Sequence, residues 1–205
     1  MAAIIFDFDG TIADGFDYVA GFLAAEAGRS LTPEEMRELR GMSMAAIARQ
    51  LGHPWWRLPK LFLRGRKKMG RAIKHIQPFG GMPAIIQKLH AEGHELFIVS
   101  SNTVPNVRSF LHEHALHTYF LEIYGGVGLF GKAPTLRRLL REQHLDPKDA
   151  VYIGDELRDV QAAQAVSLPV IAVTWGFARL SDLKAKRPTA LANRPADLMG
   201  ILDKL

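Results

Sequence analysis

Four times along this chain a short apolar run stops at polar or glycine-containing residues and a helical pattern follows: AAIIFDF, ELFIVSSN, AVYIGDE and PVIAVTWG. The intervening helices are expected over 82–91, 104–114, 133–142 and 157–166. Strands alternating with helices of about 10–15 residues are joined by right-handed crossovers into a parallel sheet covered on both faces. An α/β fold is therefore expected. YFLEIYGG supplies another strand, and a short edge strand is expected near Ala190. Ligands of such sheets bind outside the carboxyl ends of the strands, where Asp7, Asp9, Ser100, Asn102, Asp155 and Glu156 all fall.

Residues 15–78 break this rhythm, because they contain no convincing strand. FDYVAGFLAAEAG reads as a helix with a glycine stop, and TPEEMREL as one capped by Thr32 with Pro33 in its first turn. SMAAIARQLG follows, and a last helix from about Pro59 to Ile76 carries apolar residues on a roughly 3.6-residue period. The expected organisation is a core of residues 1–14 and 79–205 with a small α-helical cap, residues 15–78, inserted after the first strand. A segment that leaves and returns at the reaction end of a sheet is well placed to be a lid.

The net charge of +5 is unevenly placed. From Leu39 to Ala91 there are eleven Lys or Arg and no Asp or Glu. Such a stretch attracts anions without specifying which. The absence of cysteine excludes thiolate ligands, disulfides and Cys nucleophiles. The apolar runs are too short to span a bilayer and no leader is read at the first residues, so no membrane partner is expected and the cytoplasm is the default compartment.

In IIFDFDGTIADG, Asp7 and Asp9 share one face of an extended chain and repel unless a cation or a proton intervenes. That points to a metal site or an acid/base pair, although an Asx-turn ahead of Gly10 would also place an aspartate there. In LFIVSSNT, Ser100, Ser101 and Asn102 suit either a helix cap or a phosphate grip. Lys132 opens an amphipathic helix against the helix dipole, a placement easier to accept if an anion is held nearby. GDELRD brings three acids, Asp155, Glu156 and Asp159, after a strand.

In this order the four elements resemble the haloacid dehalogenase superfamily of aspartate-dependent phosphohydrolases, over nearly the whole chain. The insertion is similar to the small helical cap of the phosphoglycolate phosphatase and beta-phosphoglucomutase branch. The resemblance implies a Rossmann-like three-layer core and an aspartyl-phosphate formed on Asp7, with Asp9 as acid and then base. It also implies Mg²⁺ held by Asp7, the Phe8 carbonyl and Asp155, in an acidic set that includes Asp9, Glu156 and Asp159. Either Glu156 or Asp159 would act through water. Ser100 and Lys132, with the amides around Ser101 and Asn102, would grip the phosphoryl group, and Thr11 would bond within the substrate loop and orient Asp9. Haloacid dehalogenases lack the second aspartate, which is present here as Asp9.

The implied activity is Mg²⁺-dependent hydrolysis of a small phosphomonoester, such as 2-phosphoglycolate, by a monomer or homodimer. A phosphosugar mutase is the alternative, followed by a nucleic-acid-binding protein or end phosphatase using the basic cap; nucleic acid is not the expected partner. Within ELRGMS, Arg40 and Gly41 resemble a cap loop that reaches the active site, and Arg40 would clamp a substrate carboxylate unless it is a surface residue. Of Trp55 and Trp56, one is expected in the core and the other exposed. The histidines lack ligand spacing.

Overall fold

A computed structural model describes residues 2–128 and 131–205. The chain opens with strand β1 (Ala3–Phe6) and then runs through four helices, α1 (Phe16–Glu26), α2 (Pro33–Leu39), α3 (Met44–Gln50) and α4 (Leu58–Ala72). It returns through α5 (Met82–Ala91) to β2 (Glu95–Val99), α6 (Val104–Glu113), β3 (Phe120–Tyr124) and α7 (Lys132–Glu142). β4 (Ala150–Gly154), α8 (Leu157–Gln164), β5 (Val170–Val173), α9 (Leu180–Ala185), β6 (Ala190–Ala192) and α10 (Asp197–Leu202) complete it. All strand pairings are parallel, in the order β3-β2-β1-β4-β5-β6.

The chain builds outward from β1 in one direction and then crosses back to build outward in the other. β1 thus lies between β2 and β4, with Phe6 in register with both Ile98 and Ile153. That reversal opens a crevice at the carboxyl end of β1. Side chains alternate across the sheet: Ile4 and Phe6 join the core layer under α5, α6 and the insertion, whereas Ala3 and Ile5 join the layer under α7 and α8. One more step along this alternation puts Asp7 on the α7 and α8 side.

The insertion shares its apolar core with the first layer. Along α4 and the turn after it, Leu61, Met69, Ile73 and Ile76 are buried at the predicted helical spacing. On another side of α4, Arg64 and Lys68 reach Glu26 of α1 at 2.6 and 3.1 Å. α2 begins with the expected Thr32 cap, in which Thr32 Oγ1 accepts from the Glu35 amide and Glu35 returns the bond. The Trp55 and Trp56 expectation is corrected: both are exposed, at 76% and 65%, and they stack edge to face on each other. Both belong to a three-residue 3₁₀ turn, Trp55–Arg57, that precedes α4.

Candidate active site

The strand ends bring three carboxylates together. Asp7, after β1, and Asp155 and Asp159, after β4 and in the first turn of α8, are buried, with one oxygen of each within 4.8 Å of the others. Asp155 is fixed from two sides, because Thr11 Oγ1 donates to one oxygen at 3.0 Å and the Phe177 amide to the other at 2.7 Å. A β-carbon at Gly10 or Gly176 would collide with this carboxylate. Glycine is the residue that lets two backbone segments close on it.

Lys132, the first residue of α7, is buried between Asp7, 2.7 Å from its Nζ, and Asp159, to which it also donates. Tyr152 donates to the same Asp159 oxygen at 3.2 Å, and the Glu156 amide donates to the other at 2.9 Å. Asp159 is thus an anchor for Lys132 as well as a member of the acidic cluster. Burial is the dominant influence on Asp7, Asp155 and Lys132. It pushes the Asp7 carboxyl up to about 7 against the opposing pull of Lys132, and holds Asp155 well above the ordinary carboxylate range, with Glu156 and Asp7 adding repulsion. Burial alone would lower Lys132; the charges of Asp159 and Asp7 outweigh it and raise the ammonium.

Asp9 stands apart from the cluster and faces the insertion. Its two oxygens each accept from Asn102 Nδ2 at 3.2 Å. Burial pushes this carboxyl up to about 6, the Asn102 hydrogen bonds pulling the other way. Asn102 is itself held, since its Oδ1 accepts from Asn106 Nδ2 at 2.8 Å. Ser100 Oγ is buried and accepts from the Asn102 amide at 2.9 Å, which leaves its own proton for an acceptor. Ser101 is buried beside it and faces Arg158 Nη2 at 3.4 Å.

Several expected residues sit elsewhere. The Phe8 carbonyl accepts from the amides of Thr11, Ile12 and Ala13 at 3.3, 2.9 and 3.0 Å, because the chain turns over it after β1. It is therefore not presented to a metal, and among the described residues no such donor meets the Asp9 carbonyl. Thr11 is fully buried and its hydroxyl donates to Asp155; among the described residues it makes no side-chain hydrogen bond to Asp9. Glu156 is tied to Arg158 at 2.6 Å, and among the described residues the carboxylate cluster does not include it. Arg40 is drawn away by Asp17 at 2.7 Å and lies over the Phe16 ring, so the structure does not bring it to the carboxylates. With Gly41 it lines a separate cleft beside Trp175 and Phe177.

Two arginines singled out by no motif reach the site instead. Arg66 of α4 and Arg158 of α8 line one small cavity with Asp9, Ser101 and Asn102. A signal for Arg66 existed: it lies four residues after Phe62 and three before Met69, so a charge interrupts the apolar stripe of α4. Arg158 lay within GDELRD, overshadowed by its acids.

A family model described as haloacid dehalogenase-like hydrolase matches residues 4–173. A phosphoglycolate phosphatase of Synechococcus elongatus is 32% identical over 209 residues, covering 100% of this chain and 99% of that protein. A 5'-nucleotidase of Pseudomonas aeruginosa is 29% identical over 129 residues, covering 61% of this chain and 58% of that protein. Among solved structures, a haloacid dehalogenase-like family hydrolase from Streptococcus pneumoniae superposes with a TM-score of 0.79 at 22% identity, covering 98% of each chain. That last likeness establishes the fold.

Proposed function

The chain belongs to the haloacid dehalogenase-like hydrolases and is an enzyme of the phosphoric monoester hydrolase class, and on that premise we propose that it hydrolyses a small phosphorylated acid such as 2-phosphoglycolate through a phosphoryl group carried on Asp7. The observation that carries the reading is the separation of two aspartates two residues apart: Asp7 among carboxylates and Lys132, Asp9 toward a cavity under the insertion.

Three buried carboxylates balanced chiefly by Lys132 are short of positive charge, and their all-oxygen donor set suits Mg²⁺. Asp7 and Asp155 would hold the ion, with Asp159 behind them and the Asp9 carbonyl in the place expected for that of Phe8. Bound there, Mg²⁺ supplies charge neutralisation and Lewis-acid polarisation of phosphoryl oxygens. The Asp7 carboxyl, pushed up to about 7 by burial, needs such a cation beside it to stay ionised as a nucleophile at neutral pH.

The Asp7 carboxylate attacks phosphorus while Lys132 and the Ser100 hydroxyl bind phosphoryl oxygens as charge builds on them. Asp9, whose pKa near 6 suits proton transfer near neutrality, gives its proton to the departing alkoxide. It then takes a proton from the water that attacks the acyl-phosphate, regenerating Asp7. Asn102 keeps both Asp9 oxygens in reach of that position.

The cavity under Asp9 measures about 50 Å³ and shares Arg66, Glu156 and Arg158 with a larger one of about 670 Å³. The two arginines favour an acidic leaving group over the neutral sugar of the phosphosugar mutase reading. The nucleic-acid reading weakens because Arg64 and Lys68 of the basic run are engaged by Glu26. The test is phosphate release with Mg²⁺ from 2-phosphoglycolate, glycerol phosphate, a hexose phosphate and a nucleoside monophosphate. The highest kcat/KM is expected for 2-phosphoglycolate; preference for the hexose phosphate or the nucleotide would refute the substrate class.

A further inference from the structure

We propose that Arg66 of the helical insertion and Arg158 of the core form the two halves of a clamp for a carboxylate on the leaving group, and so set the specificity of the site. The inference rests on the phosphatase reading and deepens it. The two side chains reach one cavity from different elements, α4 and α8, and both line it together with Asp9, the residue that serves the leaving oxygen.

Their hydrogen-bonding capacity is not exhausted by the protein. Among the described residues, Arg66 Nε and Arg158 Nη1 are buried without a hydrogen-bond partner. An unmet buried donor is costly to keep, and more so when it is charged. Arg66 also has no carboxylate within 4.0 Å among the described residues, although its neighbours Arg64 and Lys68 on the same helix share Glu26. Among the described residues, Arg158 pairs within 4.0 Å with Glu156 alone, at 2.6 Å. Asp9 and Glu156 line the same cavity; with Asp9 protonated, as its role toward the leaving oxygen requires, two guanidiniums face one carboxylate and leave one positive charge for an incoming anion.

Both arginines are held in place before any ligand arrives. The Arg66 carbonyl accepts from Asn106 Nδ2 at 3.0 Å, its guanidinium lies over the Phe62 ring at 5.3 Å, and a β-carbon at Gly126 would stand 3.5 Å from its Nη2. Arg158 is fixed by Glu156 and by Ser101 Oγ. Ordering such long side chains in advance lowers the cost of binding. A guanidinium matches the planar fork of a carboxylate, and apolar walls such as Phe22, Leu61 and Met69 strengthen the attraction by excluding water.

The decisive comparison is between 2-phosphoglycolate and 2-hydroxyethyl phosphate, which replaces the carboxylate by an uncharged alcohol at similar length. In Arg66→Met and in Arg158→Met, the ratio of kcat/KM for the acid over the alcohol is expected to fall about 30-fold or more, as for a desolvated charged contact. Arg66→Lys, which keeps the charge without the fork, is expected to retain part of the ratio, and thermal denaturation checks that each variant is folded. Equal losses on both substrates, or an unchanged ratio, would overturn the clamp. A wild-type enzyme that hydrolyses the alcohol ester and ignores the acid would also overturn it while leaving the phosphatase reading intact. Failure of the wild type on every phosphomonoester would remove that reading first, and the clamp with it.

Discussion

The strand ends and the helical insertion face each other across one cleft and are built on opposite rules. At the strand ends charge is concentrated and buried, and the carboxylates of Asp155 and Asp159 have donors fixed on both oxygens. In the insertion charge is plentiful and mostly outward or paired, as at Arg40, Arg64 and Lys68, while Arg66 turns inward with a donor unmet. The difference separates two tasks. A rigid, over-determined cluster suits chemistry common to all phosphomonoesters, and a sparse pair of guanidiniums suits discrimination among leaving groups.

That separation breaks most visibly if a variant of the carboxylate cluster alters selectivity or a variant at Arg66 or Arg158 abolishes chemistry. Asp7→Asn is expected to reduce turnover of every substrate by ~10⁴-fold or more, because an amide cannot form the acyl-phosphate. Asp9→Asn is expected to cost about 10²–10⁴-fold on alkyl phosphates and less on aryl phosphates, whose leaving groups need less protonation. Equal losses on both would place the damage in the shared dephosphorylation step, or in the structure, and not in protonation of the leaving group. Gly176→Ala is expected to destabilise the protein by about 1–3 kcal/mol in chemical denaturation, because the new methyl meets the Asp155 carboxylate.

The buried cluster also predicts a pH dependence. The folded-state pKa of Asp7 is raised from 3.8 to about 7, so the metal-free fold holds a proton that the unfolded chain has released. Its contribution to stability is full below about pH 4 and is lost as pH rises through about 7. Added Mg²⁺ is therefore expected to raise the melting temperature more at about pH 8 than at about pH 5. A shift independent of pH would separate the ion from this cluster. The smallest effect is reserved for Arg40→Ala, expected within about 3-fold of wild type in kcat/KM for 2-phosphoglycolate, since Asp17 already engages the guanidinium and an exposed pair of this kind is worth little.

Much of the fold was legible because apolar runs and helical periods are local signals. All six strands were visible as such runs, including the edge strand at Ala190–Ala192. The strand-end residues Asp7, Ser100 and Asp155 were legible for the same reason, since a residue that follows a strand inherits its position. Orientation was less accessible. Whether the Phe8 carbonyl faces a cation or three amides depends on how the next five residues fold back, and whether Arg40 or Arg66 enters the cleft depends on which has an acidic neighbour on α1. Those are tertiary facts. Composition showed a basic stretch, yet only packing revealed that Glu26 engages two of its charges.

The claim that Asp7 carries the phosphoryl group is tested most directly by trapping it there. Asp9→Asn, with the step that releases phosphate impaired, would be mixed with an aryl phosphate and Mg²⁺, quenched in acid, digested and analysed by mass spectrometry. The account predicts a phosphoryl group on the peptide containing Asp7, absent when Asp7→Asn is added to the same variant. A phosphoryl group on another peptide, or undiminished phosphate release from the Asp7→Asn enzyme, would contradict it.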